Sequence, residues 1–572
     1  ADPSTKYTSY AAIDVDHRQW PYRRITRHPV WLSTDLRDGN QALARPMTAD
    51  QKLRFFRHLL KCNFKEIEIG YPAASDTEFD FVRSLIDDNE VPDDVWVQVM
   101  TPARAELIHR TFDAIAGARH VIVSLFNSTA PCFREVVFRK SKEEIIDMAV
   151  RHTVVVRQLA LEHRERYGTR FRLIYGVEAF SQTEPEYVVE ICTAVKRAWG
   201  LAGPGDDRII YNLPSTVETA PPNHYADQIE YFCTHMDNRD EIMVSLHCHN
   251  DRGTAIAATE LGLLAGADRV EGCLLGNGER SGNVDLVAVA LNMYTQGVPC
   301  GLDFSDLPAT AALVSALTAL PVHPRHPYAG ELIFTAFSGQ HQDGIKKGLE
   351  ARARRGDSDA RWAVPYLPLD PADVGRTYEA VIRVNSQSGK GGIAYVVARA
   401  LGLDLPRAVQ QDFYRVVQER AESTGAELSP GAIVAAFRET YHFPGCGLQP
   451  WMSLVDLAVS EYAQPVNGAP AVGFTCVVSV NGSTYTLQGE GVDLPSAFVE
   501  TLHQRLGVNY CLVEAHTAAA ANEGTPAHAS FVLLSEREEE RSPSLTTWGV
   551  SVDTDAPRSA VLAVISAVNR AL

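Results

Sequence analysis

A chain of 572 residues exceeds what one hydrophobic core usually organises, so two or three domains are expected. Its 45% hydrophobic and 22% charged residues describe an ordinary globular protein and exclude disordered and fibrous classes. With 53 Lys and Arg against 71 Asp and Glu the net charge is −18, which speaks against nucleic-acid and membrane partners. No apolar run reaches the roughly 18 to 20 residues of a membrane helix, and residues 1–10 lack a signal-peptide pattern. The 10 cysteines show no paired spacing, so reduced thiols and a cytoplasmic location are expected.

In chain order, eight short apolar, β-branched runs alternate with amphipathic stretches. The runs cover 30–37, 65–72, 95–101, 120–128, 171–179, 207–214, 241–250 and 268–278. Helical periodicity fills 49–63, 77–89, 103–117, 142–167, 184–200 and 253–266. Apolar strands alternating with helices predict a parallel sheet buried on both faces. Eight β/α units in about 270 residues predict a (β/α)8 TIM barrel over 25–305, an open doubly wound sheet being the alternative. Residues 306–460 read as mainly helical linker subdomains, broken by prolines near 321–327 and 364–371. Over 464–572, strand-like runs surround two helical patterns, predicting a C-terminal α+β domain of regulatory type. The fold class is therefore α/β with an appended α+β domain.

In a barrel, the C-terminal strand ends share one mouth. Those ends carry Arg37 and Asp38, then Glu178, Asn212 and Thr216, then His247 and His249, and finally the loop Gly276-Asn277-Gly278-Glu279-Arg280. Strand alternation puts His247 and His249 on one side and Cys248 on the other, so Cys248 reads as a wall-side core thiol. A lone H-x-H is weak, but with Asp38 arriving from another strand end it becomes two imidazoles and a carboxylate able to grip one divalent ion. Zinc, magnesium and manganese all suit such a set. Non-haem iron oxygenases use the same trio, but on antiparallel barrels. The loop 276–282 is one residue too long for a dinucleotide fingerprint, and Ser388–Gly391 lacks the upstream glycine of a phosphate loop.

Taken together, D-L-R-D-G-N-Q (35–41), S-L-H-C-H-N-D-R-G (245–253) and G-N-G-E-R-S-G-N (276–283) resemble the 2-isopropylmalate synthase family, within the metal-dependent acyltransferase and lyase barrels. The likeness runs on through A-F-S-G-Q-H-Q-D (336–343) and the segment 373–392, covers about 430 residues, and is nearest the long fungal and actinobacterial form. The resemblance implies Asp38, His247 and His249 as metal ligands with Asn283 nearby, Arg37 polarising a ketone, and Thr216 binding the substrate carboxylate. It implies Glu178, His341 and Tyr378 for proton transfer, the last two reaching in from the partner of a homodimer. Glu279, Arg280, Gly282 and Asn283 would line an acetyl-CoA channel, and Met100, Ser124, Phe126, Gly176, Asn212 and Pro214 would line the substrate pocket. The implied reaction condenses acetyl-CoA with a 2-oxo acid and hydrolyses the thioester. Its chemistry fits the residues: a keto-carboxylate can chelate one ion, Arg37 adds a cation where alkoxide charge develops, and the acetyl methyl needs a positioned base. No redox cofactor is called for.

The chain also departs from the family. Ser124 and Phe126 stand where the family usually has His and Tyr, and Gly176 and Val177 where it has Ser and Pro. A roomier pocket would suit a bulkier 2-oxo acid such as phenylpyruvate in place of 2-oxoisovalerate, unless neighbours compensate. The family's glycine-rich leucine-binding turn appears as Gly489-Glu490-Gly491-Val492-Asp493-Leu494-Pro495, so weak or absent leucine inhibition is expected. Two other classes remain open: an inactive barrel serving as an amino-acid sensor, and a lyase running the carbon–carbon bond backwards.

Overall fold

The computed structural model describes residues 2–336, 338–355, 361–376, 390–424, 428–466, 469–522, 525–537 and 546–572. They form two compact units, residues 1–333 with 371–376, and 334–370 with 377–572.

In the first unit, strands β1 (Val30–Ser33), β2 (Glu66–Gly70), β3 (Trp96–Pro102), β4 (His120–Ser128), β5 (Arg170–Glu178), β6 (Ile209–Ser215), β7 (Ile242–Cys248) and β8 (Arg269–Gly272) close in order into a parallel barrel. The interleaved helices are α1 (Ala49–Lys61), α2 (Asp76–Asp87), α3 (Ala105–Ala114), α4 (Lys142–Tyr167), α5 (Pro185–Trp199), α6 (Pro222–His235), α7 (Ala255–Leu264) and α8 (Leu286–Thr295), followed by α9 (Leu307–Thr318). Local chemistry sets their limits. Thr48 with Gln51 and Ser141 with Glu144 form reciprocal capping boxes that start α1 and α4. Gly168 and Gly200, both left-handed, end α4 and α5.

Every second strand residue points inward. The floor of the barrel is apolar, with Ile122, Ile174, Ile210 and Met243 packed together. Above that floor lies a buried ionic layer: Arg269 donates to Glu66 at 2.6 Å and to Gln98 at 2.7 Å, ion-pairs with Glu271, and Arg172 meets Glu66 at 3.0 Å. A fully buried guanidinium is tolerated only because its donors are matched in this way.

Two boundaries differ from the sequence reading in ways that matter for the site. The first run ends as a strand at Ser33, and Asp35–Gly39 curls into a wide helical turn. The Thr34 carbonyl accepts from the Arg37 and Gly39 amides, so Arg37 and Asp38 ride on that turn. The seventh run ends at Cys248; His249 lies beyond it, in an isolated bridge to Asn283.

The second unit carries α10 (Gly339–Arg355), α11 (Lys390–Leu401), α12 (Arg407–Thr424) and α13 (Pro430–Thr440). Two antiparallel sheets follow. The first joins β9 (Met452–Val466), β10 (Ala469–Val480) and β11 (Ser483–Gly491) and is closed by α14 (Leu494–Leu506). The second joins β12 (Tyr510–Asn522), β13 (Thr525–Glu536) and β14 (Thr546–Asp553) and is closed by α15 (Ala556–Ala571). Each sheet buries one face under helix, which gives the expected pair of β-rich units. Strand β9 corrects the reading of the stretch before 460 as helical, since its apolar residues Leu454 and Leu457 pack into the sheet core.

Candidate active site

The barrel mouth holds a cavity of about 340 Å³ lined by Arg37, Asp38, Glu68, Met100, Ser124, Phe126, Gly176, Glu178, Asn212, Pro214, Thr216, His247, His249, Glu271, Glu279 and Arg280. Strand geometry alone brings together residues that lie more than two hundred positions apart in the chain.

Asp38, His247 and His249 converge at its base. Their ligand atoms lie within 4.8 Å of one another, and all three residues are buried. Asp38 Oδ2 stands 3.1 Å from His247 Nε2 and 3.7 Å from His249 Nε2. The donor set fits a divalent ion: one carboxylate oxygen and two imidazole nitrogens from different elements, with open directions toward the cavity. Nearby, the buried Asn283 Oδ1 has no hydrogen-bond partner among the described residues.

Supporting charges hold the trio. Glu271 Oε2 lies 3.1 Å from His247 Nδ1, leaving Nε2 to face Asp38. Burial works against a charged His247, yet Asp38 and Glu271 hold its pKa up at about 9. Burial, with His247 beside it, takes His249 down to about 4. Burial would raise Asp38, but Arg37 and His247 outweigh it and keep the carboxyl well below the usual range. Arg37 is fixed in turn: its Nε donates to Glu68 at 2.8 Å, and its Nη1 stands 3.2 Å from Asp38. Gln98 donates to the other oxygen of Glu68 at 3.1 Å, so the guanidinium is aimed before any substrate arrives.

Around this centre, Ser128 donates to Glu178, and Thr216 Oγ1 accepts from the Ala179 amide at 2.9 Å, leaving its hydroxyl proton to donate. Asn212 donates to Glu271 at 3.0 Å. Arg280 is tied to Asp251 at 2.6 Å. The loop bearing it packs too closely for side chains: a Cβ at Gly282 would fall 1.9 Å from the Gly276 carbonyl oxygen, with φ at +97°. Cys248 faces away and is buried, its thiol pushed up to about 12 by desolvation. His341, on α10 in the second unit, is exposed and stacks on Tyr366 at 3.9 Å. Tyr378, Ser388 and Gly389 lie outside the described residues.

Reading strand ends did not identify Glu68, Gln98, Glu271 or Asp251. The alternation in E-I-E-I-G (66–70) and R-V-E-G (269–272) places acids on the inward face and was the available signal.

Comparison with known proteins decides the family. Residues 28–314 match the HMGL-like family, 331–398 the alpha-isopropylmalate synthase post-catalytic domain, and 452–572 the LeuA allosteric (dimerisation) domain. A 2-isopropylmalate synthase of Azotobacter vinelandii is 47% identical over 575 residues, covering 100% of this chain and 98% of that protein. The chain belongs to the 2-isopropylmalate synthase family. Two other members, both named 2-isopropylmalate synthase, come from Saccharomyces cerevisiae and Schizosaccharomyces pombe. Each is 46% identical, covering 99% and 100% of this chain and 90% and 96% of theirs. The 2-isopropylmalate synthase family is one of acyltransferase enzymes, which removes the amino-acid sensor and the reverse-running lyase as leading readings. Among the described residues no helix is long and apolar enough to cross a membrane.

Proposed function

We propose that this chain is an acyltransferase condensing acetyl-CoA with a 2-oxo acid, 2-oxoisovalerate in the leucine pathway, and hydrolysing the thioester to a 2-substituted malate and free CoA. The observation that carries the reading is the convergence of Asp38, His247 and His249 beside a clamped Arg37. A divalent ion held by Asp38, His247 and His249 would polarise the keto group of the bound acid. Arg37 faces the oxygen on which alkoxide charge develops, and Thr216 donates its hydroxyl proton to the substrate carboxylate.

Glu178 takes a proton from the acetyl methyl, and that carbon forms the new bond to the keto carbon, whose oxygen gains a proton. Water then cleaves the thioester, releasing the thiol and a carboxylic acid, which makes the sequence effectively irreversible. His341 and Tyr378, supplied by the partner subunit of a homodimer, would complete the proton relay. Acetyl-CoA would enter along Glu279, Arg280, Gly282 and Asn283, where a second hollow of about 330 Å³ shares Arg280 with the first.

Residues 25–305, 306–460 and 464–572 would serve as catalytic, linking and regulatory-type parts, in a cytoplasmic enzyme with no nucleic-acid or membrane partner. Leucine should act weakly, because Asp493 is committed to capping α14, accepting from the Ser496 amide at 2.8 Å; micromolar leucine binding by calorimetry would contradict this. The reaction itself is tested by incubating the protein with acetyl-CoA and 2-oxoisovalerate. Equal amounts of free thiol and 2-isopropylmalate are expected, and absence of both would refute the reading.

A further inference from the structure

The condensation proposed above leaves the side chain of the 2-oxo acid to be housed, and on the far wall of the cavity small residues leave a slot beside large ones. Glu178 stands at the end of β5, while most charged groups of the mouth come from the β1 turn, β2, β7 and β8: Arg37, Asp38, Glu68, His247 and Glu271. In a closed eight-stranded ring, β3 to β5 lie across from them. A keto-carboxylate gripped through its two oxygens at the charged side projects its third carbon toward that opposite wall.

The wall alternates large and small. On the inward face Met100 is in register with Ser124, and Phe126 with Gly176. Gly176 sits inside a nine-residue strand, where glycine weakens pairing and marks the close approach of another group. A Cβ placed there would stand 3.0 Å from Phe126 Cβ, so Phe126 would have to give way by a few tenths of an ångström. Ser124 likewise fills little of its position and is buried. Ser124 on β4 and Gly176 on β5 therefore each leave a gap on this wall, the first beside Met100 and the second beside Phe126. An aromatic ring fits such a gap better than a tetrahedral branch, because it can lie against Phe126 and the Met100 thioether.

We propose that this slot admits a 2-oxo acid bearing an aryl group on its third carbon, with Gly176 as the residue that sets this breadth. The proposal rests on the condensation reading and widens its substrate class. A site closed around an isopropyl group would reject a ring strongly, since even one methylene changes discrimination by about 10-fold to 200-fold.

The test compares kcat/KM for phenylpyruvate and 2-oxoisovalerate, with acetyl-CoA saturating and both thiol release and product mass recorded. The wild-type protein is expected to use phenylpyruvate within about tenfold of 2-oxoisovalerate. Gly176→Ala should shift the phenylpyruvate to 2-oxoisovalerate ratio downward by about tenfold or more. Should Gly176→Ala fail to fold, Phe126→Leu must lower the same ratio by removing the ring face. A larger wild-type deficit for phenylpyruvate, or a ratio that neither folded variant moves, overturns the slot while leaving the condensation intact. Thiol release with neither acid would instead remove the condensation reading and the slot with it.

Discussion

Glu271 and Glu68 each hold a charged partner in place: Glu271 fixes which nitrogen of His247 faces the cavity, and Glu68 fixes the plane of the Arg37 guanidinium. Removing the charge of such a supporting carboxylate typically costs about 10-fold to 100-fold in metal affinity. Glu271→Gln is therefore expected to weaken manganese binding by that order while the far-ultraviolet dichroism is unchanged, which a fluorescence-quenching titration would measure. At this scale the convergence of Asp38, His247 and His249 was legible, because H-x-H at a strand end and an acid after another strand both point into one mouth. The supports were not. Glu66, Glu68, Arg269 and Glu271 sit in strands whose neighbours are apolar, and a charged residue buried inside a barrel looks, in sequence, like one on the surface. Alternation in 66–70 and 269–272 hints at the inward face, but only pairing across strands reveals the partners.

At the scale of elements, the wide turn after β1 and the glycine loop after β8 build the mouth. Asp35 anchors the turn, accepting from Ser33 Oγ at 2.7 Å and from the Leu274 amide at 3.1 Å. Its burial lifts the carboxyl from 3.8 to about 7, against those hydrogen bonds. A raised carboxyl means that the fold holds a proton the unfolded chain has already lost, so stability falls as pH climbs from about 4 to about 7. Asp285, lifted to about 6 by burial, acts in the same sense over a narrower window. Across that range the pH slope of the urea midpoint should be less negative in Asp35→Asn than in the wild type; equal slopes would contradict this.

In the glycine loop, Gly282→Ala would place a methyl against the Gly276 carbonyl. The KM for acetyl-CoA should rise more than that for the 2-oxo acid, with a loss of up to about a hundredfold in kcat/KM from misplacement. Among the elements, the barrel strands were legible because parallel strands buried on both faces stand out as apolar runs. Strand β9 was not. Its stretch lies beyond a helical region, and its apolar positions find their partners in β10 and α15, which are distant in sequence or follow it.

For the whole molecule, the decisive question is whether two chains share a site. His341 and Tyr378 lie outside the barrel sequence, and residues 452–572 match a dimerisation domain. If His341 serves the partner's barrel, Arg37→Ala and His341→Ala chains, each inactive alone, should recover activity when co-expressed. A hybrid twofold dimer then contains one intact site, so a random mixture should show about a quarter of wild-type activity. No recovery in purified hybrids would mean that each barrel works with its own chain.

The account as a whole depends on one divalent ion held by Asp38, His247 and His249, and manganese titration followed by electron paramagnetic resonance addresses it most directly. One tight site per wild-type chain is expected, abolished in Asp38→Ala and His249→Ala. Variants that bind manganese as the wild type does would contradict it.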